Sequence, residues 1–355
     1  MKENGNTKNN ILVGFSGGAD STAAIYFLKE MGYEPVALHL KLFEEGGGFS
    51  IRRRAEKLGV KLIEKDISKD FQTRIVDYFV NEYAGYRTPN PCVKCNAEIK
   101  FKYLIETADS MGIEKVSTGH YAKIAKTDRC FQLKKGEDEK KDQSYFLYRL
   151  IQDQLSRIVF PLEDKNKEEN KKLLKKEGIS FEKGESQDAC FFSGGESLKD
   201  FLGNFSLESN KPGKIVDEKG EVVGEHKGLA IYTRGQRKGL RLGGSGPYYV
   251  IGKKTAENVL VVTSKADHPS LSSKKIIISD VNWICAEPEK EKKYQFKSRY
   301  QAGLSEGCIR KNKKGFWQAS LTQPQFAAAP GQSLVLYDGD RVVGGGIIRE
   351  SGESL

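Results

Sequence analysis

The sequence predicts an α/β protein: a parallel sheet flanked by helices, then a small β-rich central domain, then a C-terminal β-barrel. Three observations predict this. Strand-like apolar runs alternate with helix-patterned segments through the first part of the chain, the pattern of a parallel sheet covered on both faces. Beyond about residue 200 the texture changes to short β-like runs punctuated by glycine, such as "GKIVDEKGEVVGEHKGLAIYTRGQRKGL". The last stretch, from "KKYQFKSRYQ" to "DRVVGGGIIRE", is β in character throughout, which suits a small barrel. The expected domains are therefore residues 1–200, 201–273 and 274–355.

The elements follow in order. "NILVGF" reads as the first strand, and "STAAIYFLKEMG" as a helix with Ala24, Ile25, Phe27, Leu28 and Met31 at helical spacing and Gly32 as its stop. "YEPVALHLKLF" is the second strand, "SIRRRAEKLGV" a helix and "KLIEKDI" the third strand; "FQTRIVDYFVNEYAG" is an amphipathic helix, and "MGIEKVSTGHYA" ends a helix and enters a strand. The lysine-rich stretch from Gln143 to Gly178 reads as helical, with "KNKEENKK" as a solvated face.

Composition narrows the class. Hydrophobic residues make up 38% and charged residues 30% of 355, a soluble balance that buries real cores. No apolar run approaches the ~20 residues that span a bilayer, so no membrane partner is expected. The polar start "MKENGNTKNN" lacks a signal-peptide core, and a cytoplasmic protein with a frayed N-terminus is expected. A net charge of +10 favours a polyanionic partner. Six cysteines are too few for a disulfide scaffold of this length and are expected as thiols, ligands or small buried hydrophobes.

Chemistry enters at "VGFSGGADSTAA", Val13 to Ala24, between the first strand and the first helix. Gly17 and Gly18 let backbone N–H groups approach an anion without a Cβ in the way. Ser16, Ser21 and Thr22 add hydroxyls, and the helix N-terminus adds favourable partial charge. The Walker A lysine is missing, which excludes a P-loop of the γ-phosphate-transferring type. Asp20 lies where a carboxylate holds Mg²⁺ against phosphates. The string resembles the PP-loop of the ATP pyrophosphatase superfamily, whose fold is adenine nucleotide alpha hydrolase-like. The resemblance implies that Gly14, Phe15, Ser16, Gly17, Gly18, Ala19, Asp20 and Ser21 cradle ATP.

A second signal is "TPNPCVKCNAEIKF", with Cys92 and Cys95 one helical turn apart behind two prolines. By itself the pair reads as a metal clamp, a redox couple, a sulfur carrier or packing. With "STGHYAK", "KDQSYFL", "FPL", "SQDACFF", "GEHKGLAIYTRGQRKGL", "KSRYQ" and "PGQSLVLYDGDRVVGGGII" following in order, the chain resembles the tRNA 2-thiouridylase family along its whole length. That family adenylates the 2-oxygen of the wobble uridine and replaces it with sulfur, chemistry that calls for thiolates.

The resemblance implies that Cys190 carries a persulfide and that Cys95 attacks or resolves it. It also implies that Asn90, Pro91 and Cys92 border the target base and that Leu40 and Gly119 contact adenosine. His120, Lys141, Asp142, Gln143, Arg299, Tyr300 and Gln332 match tRNA-contacting positions. Plainer readings stand beside these: a structural histidine at His120, an N-cap at Asp142, a surface cation at Arg299, a turn residue at Gln332. Cys130, Cys285 and Cys308 have no motif context and are read as packing residues. The implied partners are the tRNA anticodon arm and a sulfur donor, whether persulfide carrier, cysteine desulfurase or sulfide; the implied cofactors are ATP and Mg²⁺.

The commoner family pattern carries an aspartate where this chain has Cys92, giving D-x-x-C in place of "CVKC". A thiol with an ordinary pKa of ~8.5 does not replace a carboxylate near ~4 in acid–base work. Soft thiolates select zinc, Cu(I) or iron–sulfur clusters; if the family fold brings Cys190 beside the pair, the resemblance to other tRNA-thiolating PP-loop enzymes implies that Cys92, Cys95 and Cys190 ligate a [4Fe–4S] cluster, with cluster-free persulfide chemistry and a zinc site as alternatives. Two other functions compete: another PP-loop adenylating enzyme, and a tRNA-binding module with a regulatory nucleotide loop.

Overall fold

Strand β1 (Asn10–Gly14) is buried on both faces, and its alternation sets two layers. Ile11 and Val13 pack with Ile25 and Leu28 of α1 (Ala19–Glu30), while Leu12 packs with Phe101 and Leu104 on the opposite side, as the two-residue strand period requires. The computed structural model describes residues 9–43, 48–179, 190–192, 196–240, 242–243 and 247–351. The expected frayed start and the "SQDA" part of "SQDACFF" lie outside the described residues.

The first layer continues through β2 (Glu34–Lys41), α2 (Gly48–Lys57) and β3 (Leu62–Asp66). Helices α3 (Ser68–Phe71) and α4 (Asp77–Ala84) are joined by a π-helical turn, Gln72–Val76. Helix α5 (Pro91–Cys95) runs through a second π-helical turn, Asn96–Lys100, into α6 (Phe101–Ser110) and then β4 (Lys115–Ser117). A hairpin, β5 (Ala122–Lys126) and β6 (Phe131–Lys135), precedes α7 (Gln152–Leu155), β7 (Ile158–Val159), α8 (Lys167–Lys176) and α9 (Leu198–Gly203). The sheet order is β3-β2-β1-β4-β7, parallel at every pairing. The order reverses between β1 and β4, which opens a ligand crevice beyond their carboxyl ends.

Downstream, β8 (Gly213–Val216), β9 (Val222–His226), β10 (Tyr249–Lys254) and β11 (Val259–Thr263) form a separate sheet in the order β10-β11-β8-β9 around Ile215, Leu229, Val250 and Leu260. The last strands are β12 (Ser272–Trp283), β13 (Tyr294–Lys297), β14 (Ser305–Lys311), β15 (Trp317–Phe326), β16 (Ser333–Asp338) and β17 (Arg341–Ser351). They close into a barrel because the long, bulged β12 pairs β15 at one end and β17 at the other. The α/β domain, β-rich central sheet and barrel are those the sequence predicts.

Four details differ from expectation. Ile158–Val159, inside the stretch read as helical, is the fifth strand of the parallel sheet; two residues are too few to impose a period. The β5–β6 hairpin leaves the first domain's sheet and joins the barrel through Lys134 and Arg341. Cys130 in this hairpin is disulfide-bonded to Cys285 after β12, so these two are a covalent strap rather than packing thiols. The "KNKEENKK" face is not wholly solvated: Lys167 and Asn170 are 6% and 4% exposed.

Candidate active site

The glycine-rich segment leaves β1 and turns sharply into α1. Gly17 has φ +75°, a conformation that glycine adopts without steric cost. Gly18 is the N-cap residue in extended conformation, so the first-turn N–H groups of α1 have no helical partner. Ser16 and Ser21 hydroxyls lie 3.2 Å apart, and the Ser21 and Thr22 hydroxyls donate to the Gly18 carbonyl at 3.1 and 2.8 Å. These bonds fix the shape of the loop where it enters the helix. Gly119, two residues beyond β4, closes it: a Cβ there would stand 2.5 Å from the Asp20 carbonyl carbon and 2.7 Å from the Ser21 nitrogen. The Arg54 guanidinium donates to the Gly17 carbonyl, and one His39 ring nitrogen lies 3.1 Å from the Phe15 carbonyl.

Asp20 is held from the far side of the chain. Its carboxylate accepts from the Lys167 ammonium at 2.9 Å and from the Tyr121 hydroxyl at 3.1 Å, and Asn170 donates to that hydroxyl at 3.1 Å. Asp20 provides the hard oxygen donor that suits Mg²⁺, and Lys167 orients it. Neither Lys167, Asn170 nor Arg54 is singled out by the sequence reading. Helical spacing offered one clue, since Lys167, Asn170 and Leu174 share a face.

Cys92 and Cys95 lie on α5, which begins with Pro91 at its first turn after Asn90. The π-helical turn begins at the next residue, Asn96, whose side chain donates to the Phe146 carbonyl at 3.2 Å. Cys95 packs against an apolar cluster that includes Leu40 and Phe191. Phe191 is wedged against Phe79 and Phe201 with ring centroids 4.9 and 5.3 Å away, and this fixes the neighbouring Cys190.

The three thiols lie within electrostatic reach of one another: Cys95 feels Cys190 and Cys92, Cys190 feels Cys92, and the Lys100 charge acts on all three. Burial pushes the Cys95 thiol up to about 12 and Cys190 up to about 11, and raises Cys92, with Lys100 opposing each shift. Cys92 and Cys190 are exposed, so solvent blunts the push there; half-buried Cys95 retains more of it. Among the described residues no group of three Cys, His, Asp or Glu side chains is arranged to hold a metal ion. The three-cysteine [4Fe–4S] assignment therefore lacks a ligand geometry here.

With this geometry, residues 9–194 match the family described as "tRNA methyl transferase HUP domain". Residues 199–264 match "tRNA methyl transferase PRC-barrel domain" and 273–348 "Aminomethyltransferase beta-barrel domain". A "tRNA-specific 2-thiouridylase MnmA" of Burkholderia pseudomallei (strain 668) is 39% identical, with 97% of this chain and 94% of the relative covered. The chain belongs to the tRNA-specific 2-thiouridylase family. The Methylobacillus flagellatus member is 38% identical over 96% of this chain and 99% of its own length, and the Burkholderia thailandensis member 37% over 96% and 94%.

The residues expected from the sequence to contact tRNA divide in two here. Lys141 and Tyr300 are partly exposed and Arg299 is exposed, its guanidinium 5.8 Å above the Phe326 ring. Tyr300 lies on Phe146, with centroids 4.6 Å apart. Of the others, His120 and Asp142 are buried, and Gln143 and Gln332 are half-buried with their amides bonded to backbone. His120 is buried, 2.7 Å from the Thr118 hydroxyl and stacked on Phe101; burial, with the Lys100 charge, holds its pKa well below the ordinary histidine value. Asp142 is buried and accepts from Gly136 and Ser144; burial raises its pKa against those bonds. Gln143 accepts from the Tyr121 N–H, and Gln332 donates to the Thr88 and Pro89 carbonyls. In this 2-thiouridylase family member His120 fits the plainer reading of a structural histidine; the residue before the short helix Ser144–Leu147 is Gln143 rather than Asp142, and Gln332 reaches past its own turn to Thr88 and Pro89.

Proposed function

We propose that this chain is an ATP-dependent tRNA-uridine 2-sulfurtransferase acting on the wobble uridine. The observation that carries the reading is that Cys95 and Cys190 lie within electrostatic reach of each other and that Cys95 packs on the same apolar cluster as Leu40 and Phe191. Uracil O2 attacks the α-phosphorus of ATP and pyrophosphate leaves; backbone N–H groups of Gly18 to Ser21 take the phosphate charge. Asp20 would hold Mg²⁺, which would supply neutralisation of phosphate charge. The terminal sulfur of a Cys190 persulfide then adds to C2, and AMP leaves with the former O2. The Cys95 thiolate attacks the Cys190 sulfur, the S–S electron pair leaves with the product as 2-thiouridine, and a Cys95–Cys190 disulfide remains for an external thiol to reduce.

Residues 1–200 are assigned the chemistry, 201–273 the connection and 274–355 the tRNA grip. Lys141, Arg299 and Tyr300 serve the anticodon arm through salt-sensitive contacts, and the target base is splayed toward Asn90, Pro91 and Cys92. A cluster on Cys92, Cys95 and Cys190, for which the three side chains show no ligand geometry, is the competing form of the reaction. Iron and acid-labile sulfide assays on anaerobically purified protein distinguish the two.

The deciding experiment incubates the full chain with tRNA, MgATP and a sulfur source and analyses the tRNA nucleosides by mass spectrometry. The expected product is 2-thiouridine, lost in Cys95→Ala and Cys190→Ala while tRNA-dependent pyrophosphate release persists. Pyrophosphate release without tRNA would point to another adenylating enzyme, and tight tRNA binding without turnover to a binding module.

A further inference from the structure

The segment between α4 and α5 has no regular structure, yet it leads directly to the thiols. Both backbone polar groups of Thr88 are taken by the barrel domain. The Thr88 N–H donates to the Pro330 carbonyl at 2.9 Å. The Gln332 amide nitrogen donates to the Thr88 carbonyl at 2.9 Å and to the Pro89 carbonyl at 3.1 Å. Between them, Gly331 has φ +93°, and a Cβ there would stand 2.8 Å from the Thr88 oxygen. The approach thus requires glycine both for its conformation and for its missing side chain. The central domain adds the Thr233 hydroxyl 3.0 Å from the Thr88 hydroxyl and the Lys253 ammonium 3.3 Å from the Tyr86 carbonyl. Tyr145, whose hydroxyl donates to the Ser333 carbonyl at 2.9 Å, also hydrogen-bonds Asn90.

A primary amide carries two N–H donors, and both of Gln332's are directed at successive carbonyls of this segment. What remains is an acceptor oxygen, which does not bind a phosphate. We infer that Gln332 is a positioning residue for sulfur transfer: it clamps Thr88–Pro89 to the barrel so that Asn90 and the Cys92–Cys95 helix face the target base in one register. The inference rests on the proposed thiolation. It makes the barrel, which is assigned the tRNA grip, a mechanical support of the cysteine helix.

The test uses the full chain as Gln332→Ala, Gln332→Glu and Thr233→Val. Without tRNA, deuterium uptake across residues 86–92 should rise, and the alkylation rate of Cys92 and Cys95 should change by about threefold or more, most in Gln332→Glu, where an acceptor faces two carbonyls. With tRNA, kcat for 2-thiouridine formation should fall roughly tenfold to a hundredfold, as for a misplaced reacting group, with KM for tRNA within about twofold. Unchanged uptake and alkylation with a raised KM alone would overturn the clamp and make Gln332 a tRNA contact. Thr233→Val loosens the same segment from the central domain and carries the test if the Gln332 variants fail to fold; unchanged uptake there would also count against the clamp. If the wild-type chain forms no 2-thiouridine, the proposed reaction falls, while the tRNA-free measurements still report on the clamp.

Discussion

Gly119 has no side chain to contribute, and its value lies in that absence. A Cβ would press on the Asp20 and Ser21 backbone at 2.5–2.7 Å, where no flexible side chain can yield. Gly119→Ala should weaken ATP use at least tenfold, measured as the KM for ATP in pyrophosphate release, with tRNA affinity unchanged. Cys95 acts through protonation instead. Its folded pKa, pushed up to about 12 by burial, keeps it a thiol at neutral pH, and the thiolate is the nucleophile. Alkylation of Cys95 in the tRNA-free protein should therefore be slow at pH 7 to 8 and climb through pH 9 to 11; a plateau below pH 9 would contradict the raised value. The same shift makes ionised Cys95 unfavourable in the fold, so its contribution to stability falls as pH rises from the ordinary cysteine range toward 12.

Helix α8 shows how an element outside the motifs enters a site. Its N-cap, Asn166, accepts from the N–H groups of Glu168 and Glu169 at 2.9 and 3.4 Å, and Glu168 and Glu169 occupy the first turn while Lys175 and Lys176 occupy the last, which suits the helix dipole. The inward face brings Lys167 to Asp20 and Asn170 to Tyr121. Lys167→Met removes the charge partner of a carboxylate that is 26% exposed, so the stability loss should fall below the ~3–5 kcal/mol of a fully buried pair. The larger effect belongs to the loop. Pyrophosphate release should drop at least tenfold and require more Mg²⁺, while Lys167→Arg restores part of it and tRNA binding stays near wild type. Helix α5 works through interruption: the π-helical turn at Asn96–Lys100 re-aims the chain directly after Cys95, a common device at functional sites.

Across the whole molecule the parts share cores. Leu12, Phe101, Tyr145 and Tyr148 of the first domain pack in one cluster with Val335, Tyr337 and Val342 of the barrel. The Cys130–Cys285 bond ties the same two units across 155 residues. Cys285→Ser should lower stability by roughly 2–4 kcal/mol without reductant; with dithiothreitol present, variant and wild type should melt together. The alternation of strands and helices and the glycine turn at Gly17–Gly18 were legible because each depends on neighbours in sequence or on a short motif. The sequence by itself determined the three kinds of domain and the family, since local periodicity and ordered motifs carry that information. Only the tertiary structure decided that Lys167 faces Asp20, that Cys130 meets Cys285, that Asp142 and His120 turn inward, and that Gln332 holds the segment before Cys92. The physical reason is that a side chain's partner depends on which surfaces pack together, and contacts between residues more than a hundred positions apart leave no period in the chain.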